Sequence, residues 1–292
     1  MREPDIPAPV KPGRAPAHPM PPGATDCHAH VFGPQDRYPL LEKTHFVPQL
    51  TPWDNYRAML ESIGCERAVL VQPSVYGTDN SAIEHVLQLR RNIELRAVAV
   101  VSPHVSDQEL ERLHGLGFRG IRINMASATK GLSITHAQEL AERIRELDWH
   151  LQFYVDFHRN PELADILVSL PVPVVADHFG RIRTAAGPDS EGFKALCRFL
   201  RHANAWVKLS APYFVSDQFP HYSDVAPFAF ALTDIAPDRL LWGTDWPHAS
   251  AREKMQADAA FADQFAQWIP DDHIRDRILV DNPARLYGFG YK

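Results

Sequence analysis

Short β-branched, apolar runs alternate along the chain with stretches in which apolar residues recur every three or four positions. The runs predict strands over 25–32, 66–72, 95–101, 119–124, 150–156, 173–178, 205–210 and 239–245. The longer period predicts helices over 52–63, 79–91, 106–115, 135–147, 160–169, 190–203, 224–236 and 251–268. Asp79 and Thr135 read as N-caps and Gly64 as a helix stop. Strands separated by helices imply parallel pairing through crossovers. Eight such units in roughly 260 residues fit a single-domain α/β fold, the (β/α)8 TIM barrel. A doubly wound sheet would carry a glycine-rich phosphate turn after its first strand, and DCHAHVFGP has neither G-x-G-x-x-G nor GK[ST].

Ahead of the barrel, assigned to 25–292, residues 1–24 hold eight of the 25 prolines and predict an extended arm. No apolar core follows the first charges, so the segment does not read as a secretory signal. Pro34, Pro73, Pro103, Pro212 and Pro247 fall just after predicted strands, where a fixed φ stiffens loops.

Composition narrows the class. With 292 residues, 45% hydrophobic and 23% charged, the chain is neither disordered, coiled-coil nor collagenous. Its apolar runs are strand-sized, so no membrane helix is expected. A net charge of −6 gives no basic footprint for nucleic acid or an anionic membrane. Cys27, Cys65 and Cys197 are scattered outside any C-x-x-C, which argues against a disulfide framework and for a reducing, cytoplasmic setting. Cys27 reads as a small side chain packed on a strand rather than a nucleophile.

In such a barrel the chemistry sits at the C-terminal ends of the strands. There the chain places His28 and His30, then Ser74 and Tyr76, then Arg122 and Asn124, then Tyr154 and Asp156. Asp177, His178 and Arg181 follow, then Lys208 and Ser210, then Asp245, Trp246 and His248. Residues two apart on a strand share a face, so His28 and His30 both point to the barrel axis. Two buried imidazoles each need a partner, which favours function over packing. Asp245 reads as a catalytic carboxylate, with helix capping as the alternative. His248 reads equally as a substrate-side or a plain loop residue, and Arg122 as a carboxylate binder or a salt-bridge partner.

The stretches DCHAHVFGP (26–34), VQPSVYGTDN (71–80), RGIRIN (119–124), ADHFGR (176–181), LLWGTDWPH (240–248) and DNPARLYGF (281–289) resemble the amidohydrolase superfamily, amidohydrolase family 2. The likeness runs from about residue 22 to the C-terminus and is to the branch of 2-pyrone-4,6-dicarboxylate lactonase and related lactone hydrolases. It implies a hydrolase that opens a carboxylated lactone. Asp245 would activate water, and His28, His30 and His178 would polarise the carbonyl. Arg122 would hold a substrate carboxylate, with Ser74, Tyr76, Tyr154, Arg181 and His248 around the substrate.

Metal-binding relatives use the H-x-H pair, a further histidine and the last aspartate, so His28, His30, His178 and Asp245 would form a Zn or Mn site. The lactonase branch works without metal, and no cofactor is the expectation; the alternative is a metal-dependent hydrolase or decarboxylase of a small carboxylic acid. A barrel that only binds such an acid is a third reading. The loops MASATKG (125–131) and SAPYFVS (210–216) lack arginines that the pyrone-dicarboxylate enzyme carries, with only Lys130 as a stand-in, and Tyr76 replaces a histidine. The expected partner is therefore a small lactone with one anionic group. The sequence is compatible with a homo-oligomer.

Overall fold

The computed structural model describes residues 2–89, 92–125 and 133–290. Its strands are β1 (Thr25–Ala29), β2 (Arg67–Val71), β3 (Glu94–Ala99), β4 (Phe118–Asn124), β5 (His150–Tyr154), β6 (Val174–Ala176), β7 (Ala205–Ser210) and β8 (Leu240–Gly243). They pair in parallel in chain order. Asp245 N–H donates to His28 O at 2.8 Å and His30 N–H to Trp246 O at 2.7 Å, which joins the last strand's end to the first. All eight predicted strands are present, and the parallel barrel is the fold.

Helices fill the crossovers: α1 (Trp53–Ile63), α2 (Ser81–Gln88), α3 (Asp107–Leu116), α4 (Ile134–Ile144), α5 (Leu163–Leu167), α6 (Glu191–Arg201), α7 (Ala226–Ile235) and α8 (Asp258–Trp268). Gly64 ends α1 at φ 86°, a left-handed conformation that glycine adopts without a Cβ penalty. The two expected N-caps shift. Asn80 holds the N-cap position of α2 without a side-chain cap bond, while Asp79, one residue earlier, accepts from Ser81 N–H. Ser133 caps α4, because its hydroxyl reaches His136 N–H in a capping box and Thr135 already lies inside the helix. The predicted 251–268 helix begins only at Asp258; before it the chain makes one tight turn, Arg252–Lys254. Beyond α8 come α9 (Asp272–Asp276), a wide turn at Arg277–Asp281 and α10 (Asn282–Tyr287), pieces too short to show a period in sequence.

Alternation along the strands separates two apolar layers. Ala68, Leu70, Ala97, Ala99, Leu151 and Phe153 face the helices. Cys27, Val69, Val71, Val98, Val175 and Leu241 face inward, where Leu286, Tyr287 and Phe289 from the C-terminal segment join them; the β1 register shifts between Asp26 and Ala29, so Cys27 and His28 both turn inward. The result is a packed interior below the site. Among the described residues of 1–24 none is in a helix or strand; Asp5 N–H reaches Val47 O at 3.1 Å, and Arg14 and Ala17 N–H both bond Asp263 at 2.6 Å. Cys27, Cys65 and Cys197 are free thiols. Among the described residues no helix is long and apolar enough to cross a membrane.

Candidate active site

The H-x-H pair meets the end of β8 through a buried carboxylate. Asp26 accepts from His28 N–H at 3.1 Å, Thr244 N–H at 2.9 Å, Thr244 Oγ1 at 2.6 Å and Tyr56 OH at 2.8 Å. This locks β1 to the Gly243-Thr244-Asp245 turn. The loops leaving β6, β7 and β8 then start with residues in the left-handed region: His178 (φ 51°), Ala211 (φ 49°) and Asp245 (φ 64°). Such conformations cost non-glycine residues about 1–3 kcal/mol each and concentrate where a side chain must be aimed.

The aim is common. Asp245 Oδ1 lies 3.6 Å from His28 Nε2, 3.7 Å from His30 Nε2 and 3.9 Å from His178 Nε2, and all four side chains are buried. Asp245 Oδ2 accepts a short hydrogen bond from Tyr213 OH. Burial raises the Asp245 carboxyl to about 7, against the lowering pull of Tyr213 and His248. Burial pushes His30 down to about 3, and His28 and His178 well below their usual value. The imidazoles are therefore neutral, and these separations are not ion pairs.

Behind this ring sits a second layer of charge. Asp177 Oδ2 accepts from Gln152 Nε2 at 3.1 Å and Arg122 Nε at 3.3 Å. Burial alone would raise Asp177, but Lys208 and Arg122 outweigh it and hold the carboxyl below its usual value. Lys208, fully buried, is lowered by desolvation to about 8.

A cavity of about 210 Å³ opens over Asp245. Arg122, Asn124, Ser74, Tyr154, His30 and His178 line it, as expected from their strand ends. Arg122 also pairs with Asp177, 3.3 Å away, so it makes the expected salt bridge while lining the cavity. Three expected substrate contacts lie elsewhere. Arg181 stacks on Tyr154 and Phe214, 5.0 and 5.1 Å from the ring centres, without lining the cavity. Tyr76 accepts from Gly33 N–H at 3.1 Å and packs on Phe32. His248 is turned to Asp258, with Nε2 2.9 Å from its Oδ1. Lys130 falls outside the described residues. Sequence reasoning missed His45, Phe46 and Phe214 in the lining and Tyr213 as the donor to Asp245. The position of Tyr213 just after β7 was the available signal. A larger cavity, about 690 Å³, lies at the opposite end of the barrel between Trp149, Trp206, Arg239 and Arg285, away from every strand-end residue above.

By spacing, His28, His178 and Asp245 could hold a metal ion, since their ligand atoms all lie within 4.8 Å of one another. Four-coordinate zinc, with bonds of about 2.1 Å, spaces its ligands about 3.4 Å apart, a little closer than here. Donor chemistry fits less well. A metal-bound imidazole normally donates its other N–H to an acceptor. Here the Lys208 ammonium stands 3.3 Å from His28 Nδ1.

A parallel eight-stranded barrel with H-x-H on its first strand and an aspartate after its last defines a hydrolase of the amidohydrolase type. The chain belongs to that family: the amidohydrolase family model matches residues 25–289. It is 37% identical to a 4-sulfomuconolactone hydrolase of Rhizobium radiobacter, over 92% of this chain and 91% of that one. It is 36% identical to a 2-pyrone-4,6-dicarboxylate hydrolase of Comamonas testosteroni, again over 92% and 91%. The apo structure of an Agrobacterium tumefaciens protein superposes with a TM-score of 0.83 at 27% identity, covering 95% of this chain and all of that one.

Proposed function

We propose that the protein hydrolyses a small lactone bearing one carboxylate. Asp245 acts as general base and Arg122 as the carboxylate's partner. The observation that carries this reading is the position of Asp245 Oδ1, which is left outside the Tyr213 hydrogen bond, faces His30 and His178 Nε2 on the floor of a cavity that Arg122 lines, and has His28 Nε2 buried behind it.

Water bound at Oδ1 gives its proton to Asp245 as its oxygen attacks the lactone carbonyl. The developing oxyanion needs N–H donors. His178 can supply one, because its Nδ1 lies 2.8 Å from the Ser210 hydroxyl, which can donate to it and leave the proton on Nε2. His30 cannot. Its Nδ1 lies 2.7 Å from Val71 O, a carbonyl that only accepts, so the proton is on Nδ1 and Nε2 presents a lone pair. The expectation that all three histidines polarise the carbonyl is therefore revised: His30 accepts from the attacking water and orients it. Collapse of the tetrahedral intermediate breaks the ring C–O bond, and the leaving oxygen takes the proton back from Asp245.

The spacing of His28, His178 and Asp245 favours a second reading, a metal-dependent hydrolase or decarboxylase acting on a small carboxylic acid. One experiment separates the two. Purified protein is assayed against a panel of neutral and carboxylated lactones, before and after exhaustive chelation. Ring opening of carboxylated members that survives chelation is the expected result; inertness towards the whole panel overturns the lactonase reading.

A further inference from the structure

Lys208 is the one buried cation of the second layer that the reaction above leaves unused. It projects from β7 into the barrel, and an ammonium there carries three N–H donors and no acceptor. Nζ lies 2.7 Å from Gln152 Oε1, 2.9 Å from Cys27 O and 3.3 Å from His28 Nδ1. Gln152 is fixed in this orientation because its Nε2 donates to Asp177 Oδ2. Two N–H groups are thus committed, and the third has His28 Nδ1 at 3.3 Å against Asp177 Oδ1 at 3.7 Å. Asp177 Oδ1 is itself 3.3 Å from His28 Nδ1 but receives no hydrogen bond, so it lies off the direction in which a ring N–H would point. With the Lys208 ammonium donating to it, His28 Nδ1 is an acceptor and the ring proton sits on Nε2, which faces Asp245 Oδ1 at 3.6 Å without a hydrogen-bond partner among the described residues. The H-x-H pair then has opposite tautomers, Nε2–H on His28 and an Nε2 lone pair on His30; of the two, His30 lines the cavity.

We infer that Lys208 is a positioning residue that holds the His28 proton on Nε2, making the site a proton-handling centre and closing it to the divalent cation that its spacing would otherwise accept. A metal needs the Nε2 lone pair, and a carboxylate in the place of the ammonium would provide it. The buried positive charge one imidazole away adds repulsion. The inference stands apart from the lactonase reading, because its tests use no substrate.

Two measurements decide it. In ¹⁵N-histidine-labelled wild-type protein, with His28 assigned by the signals lost in His28→Gln, long-range ¹H–¹⁵N spectra should show His28 protonated at Nε2; protonation at Nδ1 overturns the inference. In zinc titrations the wild type should bind the ion at this cluster only weakly. Lys208→Met should bind one equivalent at least about tenfold more tightly, the size of outer-layer effects on metal affinity, and lose it in the Lys208→Met/Asp245→Ala double variant. Equal zinc affinity in wild type and Lys208→Met also overturns it. Should Lys208→Met fail to fold, the wild-type spectrum decides alone.

Discussion

The Tyr213 hydroxyl donates to one oxygen of the Asp245 carboxylate, Oδ2, and so leaves the other, Oδ1, to face the three histidines. It is also the largest influence holding the Asp245 carboxyl down against burial. Removing it in Tyr213→Phe raises the Asp245 pKa. A hydrogen bond to a charged group is worth about 1.5–3 kcal/mol, so a shift of about one to two units is expected, with kcat at pH 7 lowered about 5–50-fold and KM little changed. An unmoved pH–rate profile in Tyr213→Phe contradicts this role.

The wild-type profile follows from the same carboxylate. As base, Asp245 must be ionised, and burial places its pKa at about 7. Below that pH the protonated fraction grows, so kcat/KM falls about tenfold per unit as pH drops. His28, His30 and His178 are pushed below their usual value and remain neutral around pH 7, adding no limb there. A rate that is flat from pH 5 to 8 is the contrary outcome.

Arg122 gives a test of substrate charge. Its fork is shared between Asp177 and the cavity, and a lysine keeps the charge while losing the paired N–H geometry. Arg122→Lys should lower kcat/KM about 10–100-fold for carboxylated lactones and much less for neutral ones. Equal losses on both would remove the carboxylate contact from the account.

Much of this was readable beforehand where the signal is local. A period of two put His28 and His30 on one face, and strand ends collected Arg122, His178 and Asp245. What escaped depends on contacts across the barrel. Tyr213 is 32 residues from Asp245, and nothing local marks the pair. His248 belongs to the same motif as Asp245, yet a left-handed backbone at φ 61° turns it toward Asp258. Tyr76 sits at a strand end but completes a small apolar cluster with Phe32 and Tyr38. Tautomers are set by partners on other strands, as Val71 does for His30, and sequence alone carries no such information.

Gly243 explains one letter of the last-strand motif. A Cβ there would lie 2.7 Å from His28 N and 2.8 Å from His28 Cβ, so β1 could not approach β8 as it does. Gly243→Ala should cost about 1–3 kcal/mol of stability. At about 2–4 °C per kcal/mol for a large domain, thermal unfolding should reveal it. The folded fraction should also lose turnover, because the displaced residue is His28. A variant with unchanged Tm and full activity would contradict the close approach.

The central claim is that Asp245 takes the proton from the attacking water. Asp245→Asn can still accept from Tyr213 but cannot act as a base at neutral pH. Its kcat on whichever carboxylated lactone the wild type opens, measured on protein shown by circular dichroism to be folded, is predicted to fall about 10²–10⁴-fold. A folded Asp245→Asn protein that turns over at the wild-type rate would contradict the account.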